Sequence, residues 1–355
     1  MNPPTLEADS VDWESLIPEQ LLLSEPIQRM LALIQGNVAL QAVYVATKLG
    51  IADRLEAGPR SCEDLAKACR CNADMLYRML RYLCRFGVFS EPEPRYFAST
   101  PLADTLRDQP GSLRDLTLFS GEEFYVAWGN FLQTLYTEYS AFEATYGMNR
   151  CDYLASNPAK EKRFDAGTQL GAHVYVPALA AAYDFSSIET LVDVGKGDRE
   201  YLPAILRRYP SVRGILVEKP KLVEETRGKM AEAGLAERCE IVAGSHLEPP
   251  PLGDGYLISN IQRMDDGEAR HVMAQCRQVM ADDGRLFVIE RWVSAKLPPI
   301  ILSEDLGLTV QTTGGRLRSL EEFRNLLEAS GFTVNQVIPV DATRGILEAK
   351  PRAPA

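Results

Sequence analysis

Between about residues 26 and 90, apolar positions recur at intervals of three and four. Ile27, Met30, Leu31, Ile34 and Val38 form one stripe; Ala42, Val45, Ala46 and Leu49 extend it until Gly50 interrupts it. That period predicts amphipathic helices. Ser61-Cys62-Glu63-Asp64 sets a hydroxyl three residues ahead of an acid, just before an apolar run, and so predicts a capped helix start. Asn72-Ala73-Asp74-Met75 opens the next helix, which carries Leu76, Met79, Leu80 and Leu83. Phe86-Gly87-Val88-Phe89 then reads as a short strand, with Tyr96-Phe97-Ala98 as its hairpin partner. Helix, turn, helix and small hairpin form a winged-helix pattern.

Residues 112 to 185 also read as helical, and they are crowded with large apolar side chains: Phe124, Tyr125, Trp128, Phe131, Leu135, Tyr136, Tyr139 and Phe142. Such a stretch predicts core or subunit interface, part of it suited to walling a flat substrate. After Asp184 the rhythm changes. Leu191-Val192-Asp193-Val194, Ile215-Leu216-Val217, Cys239-Glu240-Ile241-Val242, Tyr256-Leu257-Ile258 and Leu286-Phe287-Val288-Ile289 are short apolar runs separated by helix-like segments. Buried strands alternating with helices predict a parallel sheet covered on both faces. A helix over Leu320 to Leu327 follows. Gly331-Phe332-Thr333-Val334 and Gly345-Ile346-Leu347-Glu348 are expected to close the sheet as an antiparallel pair.

Composition narrows the function classes. The chain has 355 residues, 46% hydrophobic and 25% charged, the balance of a soluble globular protein. Arg78, Arg81 and Arg85 fall on the second predicted helix, but the net charge of −11 speaks against a nucleic-acid partner. No apolar run is long enough to span a bilayer, so no membrane partner is expected. Residues 1–19 are Pro-rich and acidic, without the pattern of a signal peptide; they predict a disordered tail and a cytoplasmic protein. Seven cysteines are too few for a disulfide scaffold. Cys62, Cys69 and Cys71 cluster without a second pair at zinc spacing, so no metal is expected.

A helical region, a winged helix and then Val192-Asp193-Val194-Gly195 with its sheet resemble the plant-type and bacterial small-molecule O-methyltransferases. The resemblance extends from about residue 20 to 350. It is carried by Ala141-Phe142-Glu143-Ala144-Thr145-Tyr146-Gly147, Asp265-Asp266, Asp283-Gly284-Arg285-Leu286, Glu290, Gly314-Gly315, Glu322-Phe323 and Ala329-Ser330-Gly331-Phe332, all in order. It implies an α/β class I methyltransferase fold with a Rossmann-like sheet over about 186–350. A helical, winged-helix dimerisation domain is implied over 20–110, with a helical linker and substrate wall over 111–185. It also implies S-adenosylmethionine as cofactor, a small-molecule substrate and a homodimer.

The positions that the family uses depart from its pattern. The glycine-rich turn reads Gly195-Lys196-Gly197-Asp198-Arg199, with Lys196 and Arg199 where glycines are expected. A glycine there admits close approach of backbone to ligand. Asp193, Gly195, Gly197, Glu218 and Ser245 are the cofactor-binding candidates. Glu218 fills the family's ribose-binding acid position, and Gly244-Ser245 lacks the acid that faces the adenine. The family's general base is a His; Gln262 stands in its place, and an amide accepts no proton near pH 7. Glu290 matches the first of two acids that orient that His, and Leu317 stands at the second. Gln262, Arg263, Glu290 and His246 are therefore the catalytic candidates. His173 and His271 are the other histidines; His271 is expected to be exposed. The leading expectation is a tailoring enzyme for natural-product-like molecules whose chemistry has moved from methyl transfer to cyclisation, pericyclic reaction or decarboxylation. Gln262 would polarise a carbonyl, and Arg263 or Arg199 would stabilise negative charge. The alternatives are an active O-methyltransferase with a reshaped loop, and a non-catalytic dimer partner of an active paralogue.

Overall fold

The computed structural model describes residues 24–168, 172–195, 200–293, 299–341 and 344–352. The tail expected over 1–19 and Lys196, Gly197, Asp198 and Arg199 lie outside the described residues. The chain divides into two compact units, 1–109 and 110–355. The helices predicted over 111–185 thus group with the sheet.

In the first unit the predicted stripe is two helices, Glu25–Ile34 and Gly36–Lys48, bent by 41° at Gln35. Gly50 ends them in the left-handed region. Ser61 and Asn72 cap helices Cys62–Cys69 and Ala73–Cys84 by accepting the backbone N–H of Asp64 and Met75. Leu65, Leu76, Leu80 and Leu83 are buried. The hairpin differs from expectation. Gly87 takes a left-handed turn, so the first strand begins only at Phe89. Strands β1 (Arg60–Ser61), β2 (Phe89–Glu93) and β3 (Tyr96–Ser99) form an antiparallel sheet in the order β1-β3-β2. The cysteine cluster disperses: Cys62 is buried, with its thiol pushed up to about 11 by desolvation, Cys69 is half-buried and Cys71 is exposed.

The second unit is built on β4 (Thr190–Asp193), β5 (Arg213–Glu218), β6 (Cys239–Ala243), β7 (Gly255–Ser259), β8 (Arg285–Val293), β9 (Arg318–Ser319), β10 (Phe332–Pro339) and β11 (Arg344–Pro351). The order is β10-β11-β8-β7-β4-β5-β6, with short β9 beside β8. Strands β6, β5, β4, β7 and β8 run parallel, and β11 and β10 close the edge antiparallel as predicted.

Alternate strand residues feed opposite layers. Leu191, Leu216, Leu257, Phe287 and Ile346 pack with Leu202 and Ile205 on one face. Val192, Val217, Ile258, Val288 and Leu347 pack with Val272 and Met273 on the other. The central strands β7 and β8 are apolar over long stretches because both faces are covered, whereas edge strand β6 exposes Glu240. From β4 the chain proceeds to β5 and β6 on one side and returns to β7 and β8 on the other. Such a reversal leaves a crevice at the carboxyl ends of β4 and β7.

Candidate active site

That crevice opens into a cavity of about 640 Å³. Asp193 and Gly195 line it at the end of β4, Glu218 at the end of β5, and Ser245 and His246 just beyond β6. Gln262 and Arg263 follow β7, and Glu290 lies on β8. Eight of the nine candidate residues therefore share one cavity, and the ninth, Gly197, lies outside the described residues.

The cofactor end is built from backbone and carboxylates. Asp193 is buried, and its Oδ1 accepts the Gly195 N–H at 3.0 Å. Gly195 has φ +82°, and a Cβ there would meet the Val217 carbonyl oxygen at 2.5 Å. Both facts require glycine. Glu218 is buried; its carboxylate accepts the Lys219 N–H at 2.8 Å and the Thr226 hydroxyl at 3.2 Å. Those bonds fix the acid at the cavity wall. At the turn after β6, the Ser245 hydroxyl oxygen accepts the Leu247 N–H, while Glu248 accepts the Ser245 N–H, both at 3.2 Å. An acidic wall at a glycine turn suits a cationic, ribose-bearing cofactor such as S-adenosylmethionine.

The other end is held by buried charge. Glu290 Oε2 accepts the backbone N–H of Gln262 and Oε1 that of Arg291, each at 3.0 Å. Glu290 thus grips the chain at Gln262 rather than its side chain. Burial pushes the Glu290 carboxyl above its usual range, against those two N–H groups and the charges of Arg263 and Arg318. Among the described residues, the Gln262 carbonyl Oε1 is buried without a hydrogen-bond partner. Leu317 is buried in the same cavity wall.

The segment Ile261–Asp266 is clamped from behind. Arg318, 1% exposed, donates to the carbonyls of Ile261 (3.1 Å) and Met264 (2.9 Å) and to Asp266 Oδ1 (2.7 and 2.9 Å). Gly314 packs on Asp265, where an added Cβ would meet the Asp265 Cβ at 2.5 Å. The Gly-Gly pair is there for close approach. Asp265 itself caps the following helix through the Glu268 N–H.

His246 lines the cavity, but its Nε2 is bound to Glu268 at 3.0 Å. His271 is exposed, as expected, and binds the Leu247 carbonyl. The side chain of His173 lies outside the described residues.

Sequence reasoning did not find Arg150, Phe164, Asn260 or Arg318. Asn260 lines the cavity with a left-handed φ of 60° directly after β7, and an Asn at the end of an apolar run is a usable signal for that conformation. Arg150 and Arg318 reach their places only by tertiary packing.

Residues 128–333 match the model of the O-methyltransferase domain, and residues 31–108 that of the O-methyltransferase dimerisation domain. The phenazine O-methyltransferase PhzM of Lysobacter antibioticus is 36% identical over 91% of this chain and 95% of its own length. The phenazine-1-carboxylate N-methyltransferase of Pseudomonas aeruginosa is 34% identical over 91% and 97%. The crystal structure of NcsB1, an O-methyltransferase of neocarzinostatin biosynthesis in complex with S-adenosylmethionine and 2-hydroxy-5-methyl naphthoic acid, superposes with TM-score 0.79. It is 26% identical, covering 88% of this chain and 96% of that one.

Proposed function

Since the chain belongs to the O-methyltransferase family, we propose that it is an active S-adenosylmethionine-dependent methyltransferase acting on an oxygen or nitrogen of a small aromatic molecule. This replaces the expectation of non-methylating chemistry, because the relatives with high coverage on both sides are methyltransferases. The observation that carries it is one cavity in which Gly195 and Glu218 stand at one end and Gln262 and Glu290 at the other.

Asp193, Gly195, Glu218 and Ser245 would hold the cofactor, which when bound supplies an electrophilic methyl group. Glu290 holds the Gln262 backbone, and Arg318 holds the segment on either side of it. The Gln262 Oε1, unpartnered among the described residues, accepts a hydrogen bond from the acceptor's N–H, or from its O–H before that group ionises, and orients it. It takes no proton, so the acceptor must be acidic enough to ionise unaided, or be a nitrogen with a free lone pair. The aromatic residues Phe119, Phe124 and Phe164 wall the same space. Homodimerisation is part of the proposal. The dimerisation-domain match and the exposed Ile27, Met30, Leu33 and Ile34 on the first helix support it.

The test is calorimetric titration with S-adenosylmethionine and S-adenosylhomocysteine, followed by incubation of the saturated enzyme with hydroxynaphthoic and phenazine acceptors. Micromolar binding and a product heavier by one methyl group are expected. Absence of cofactor binding at millimolar ligand overturns the proposal. Binding without methyl transfer to any acceptor favours the non-methylating reading, for which Gln262 and Leu317 speak.

A further inference from the structure

Arg150 is a buried cation in the second unit. It sits in the first turn of helix Arg150–Ala155, is 4% exposed, and lines the cavity. Its Nη1 donates to Gln311 Oε1 at 2.7 Å and its guanidinium also has a side-chain hydrogen bond with Cys151, but its Nε is buried with no hydrogen-bond partner among the described residues. Its guanidinium lies 4.6 Å from the centre of the Phe164 ring, and that of Arg263 lies 5.5 Å from the same centre. Two cations thus share one aromatic ring in one cavity. Burial and then the charge of Arg263 both act against the charge on Arg150, while Cys151 and Asp165 offset only part of that pressure. A buried cation with an open donor is costly unless an acceptor reaches it.

Resting on the methyltransferase reading above, we infer that the cavity takes an aromatic acid, and that Arg150, with Arg263 across Phe164, anchors its carboxylate. Guanidinium forks match carboxylates in shape and charge. The ring of such an acid lies among Phe119, Phe124 and Phe164, which also line the cavity. Anchoring the acid here leaves Gln262 for the acceptor group. Acceptor and anchor are then different groups on one ring system, and this sets which position is methylated.

The experiment compares carboxylic acids with their uncharged carboxamides: benzoate, 2-naphthoate and phenazine-1-carboxylate against the matching amides. Affinities are measured calorimetrically with and without S-adenosylhomocysteine. At least one acid is expected to bind about tenfold or more tighter than its amide, the usual weight of one charge-assisted hydrogen bond. Arg150→Gln should bring the acid to within about threefold of the amide, and Arg150→Lys should restore part of the difference. Arg263→Gln, at a half-buried site, gives the same readout if the Arg150 variants do not fold. Amides that bind as well as acids, no acid that binds, or an acid preference surviving both glutamine variants would overturn the inference. Loss of S-adenosylhomocysteine binding with the acid preference intact would instead sink the methyltransferase reading and leave the anchor standing.

Discussion

Arg318→Met tests whether the Gln262 segment is held by the buried guanidinium. Methionine fills much of the aliphatic volume but removes every donor. Asp266 is 44% exposed at its side chain, so it recovers water and loses little. The carbonyl of Met264 is different, because its partner is the fully buried Arg318, whereas the Ile261 carbonyl keeps the Met264 N–H at 2.9 Å. Leaving the Met264 carbonyl unpaired costs roughly 1–3 kcal/mol. At about 2–4 °C per kcal/mol for a unit of this size, the melting temperature should fall by roughly 2–12 °C. The second effect is positional. Gln262 and Arg263 lie between the two clamped carbonyls, so acceptor turnover should drop while S-adenosylhomocysteine affinity, which we propose Gly195 and Glu218 set, changes little. Arg318→Lys, which keeps the charge but not the fork, should fall between. Differential scanning calorimetry, cofactor titration and an acceptor-turnover assay together read both effects. An Arg318→Met protein that melts within about 1 °C of the parent and turns over normally would refute the reasoning.

Gly195→Ala should cost about 1–3 kcal/mol of stability through the left-handed backbone alone. It should also weaken S-adenosylhomocysteine binding by about tenfold or more, since the methyl group displaces the turn from Val217; unchanged calorimetric affinity would argue against a cofactor at this turn. Glu290 titrates above its usual value in the folded state, so the unfolded chain loses that proton first and stability falls as pH rises through the interval. The unfolding free energy of wild type relative to Glu290→Gln should therefore decline from about pH 4 upward and level off above the raised value. Urea titrations of both proteins across that range check it, and a rising difference would contradict the sign.

What local order encodes is readable in the chain itself. The helix caps at Ser61 and Asn72, the apolar runs of β4, β5, β7 and β8, and the antiparallel pair β10–β11 follow from periodicity and short-range hydrogen bonding, which involve neighbours a few residues apart. The cavity was readable too, as far as it uses strand ends. Asp193, Glu218, Gln262 and Glu290 each directly follow or belong to a buried run, and a parallel sheet with a reversal of order brings those ends together. Here the resemblance to a family supplied what pattern alone does not, namely which strand end does what.

The tertiary structure decided the rest. Whether Glu290 meets the side chain or the backbone of Gln262 depends on a few ångströms of register between β7 and β8, which no pattern specifies. His246 carries no mark in the chain that it will meet Glu268, 22 residues away. Arg150 and Arg318 look in the sequence like any solvated arginine. Only packing against Phe164 and Gln311 in one case, and against Ile261, Met264 and Asp266 in the other, removes their water and turns two ordinary cations into the proposed anchor and a clamp. Burial of charge is a property of the assembled core, summed over segments far apart in the chain, and so it stays invisible until those segments meet.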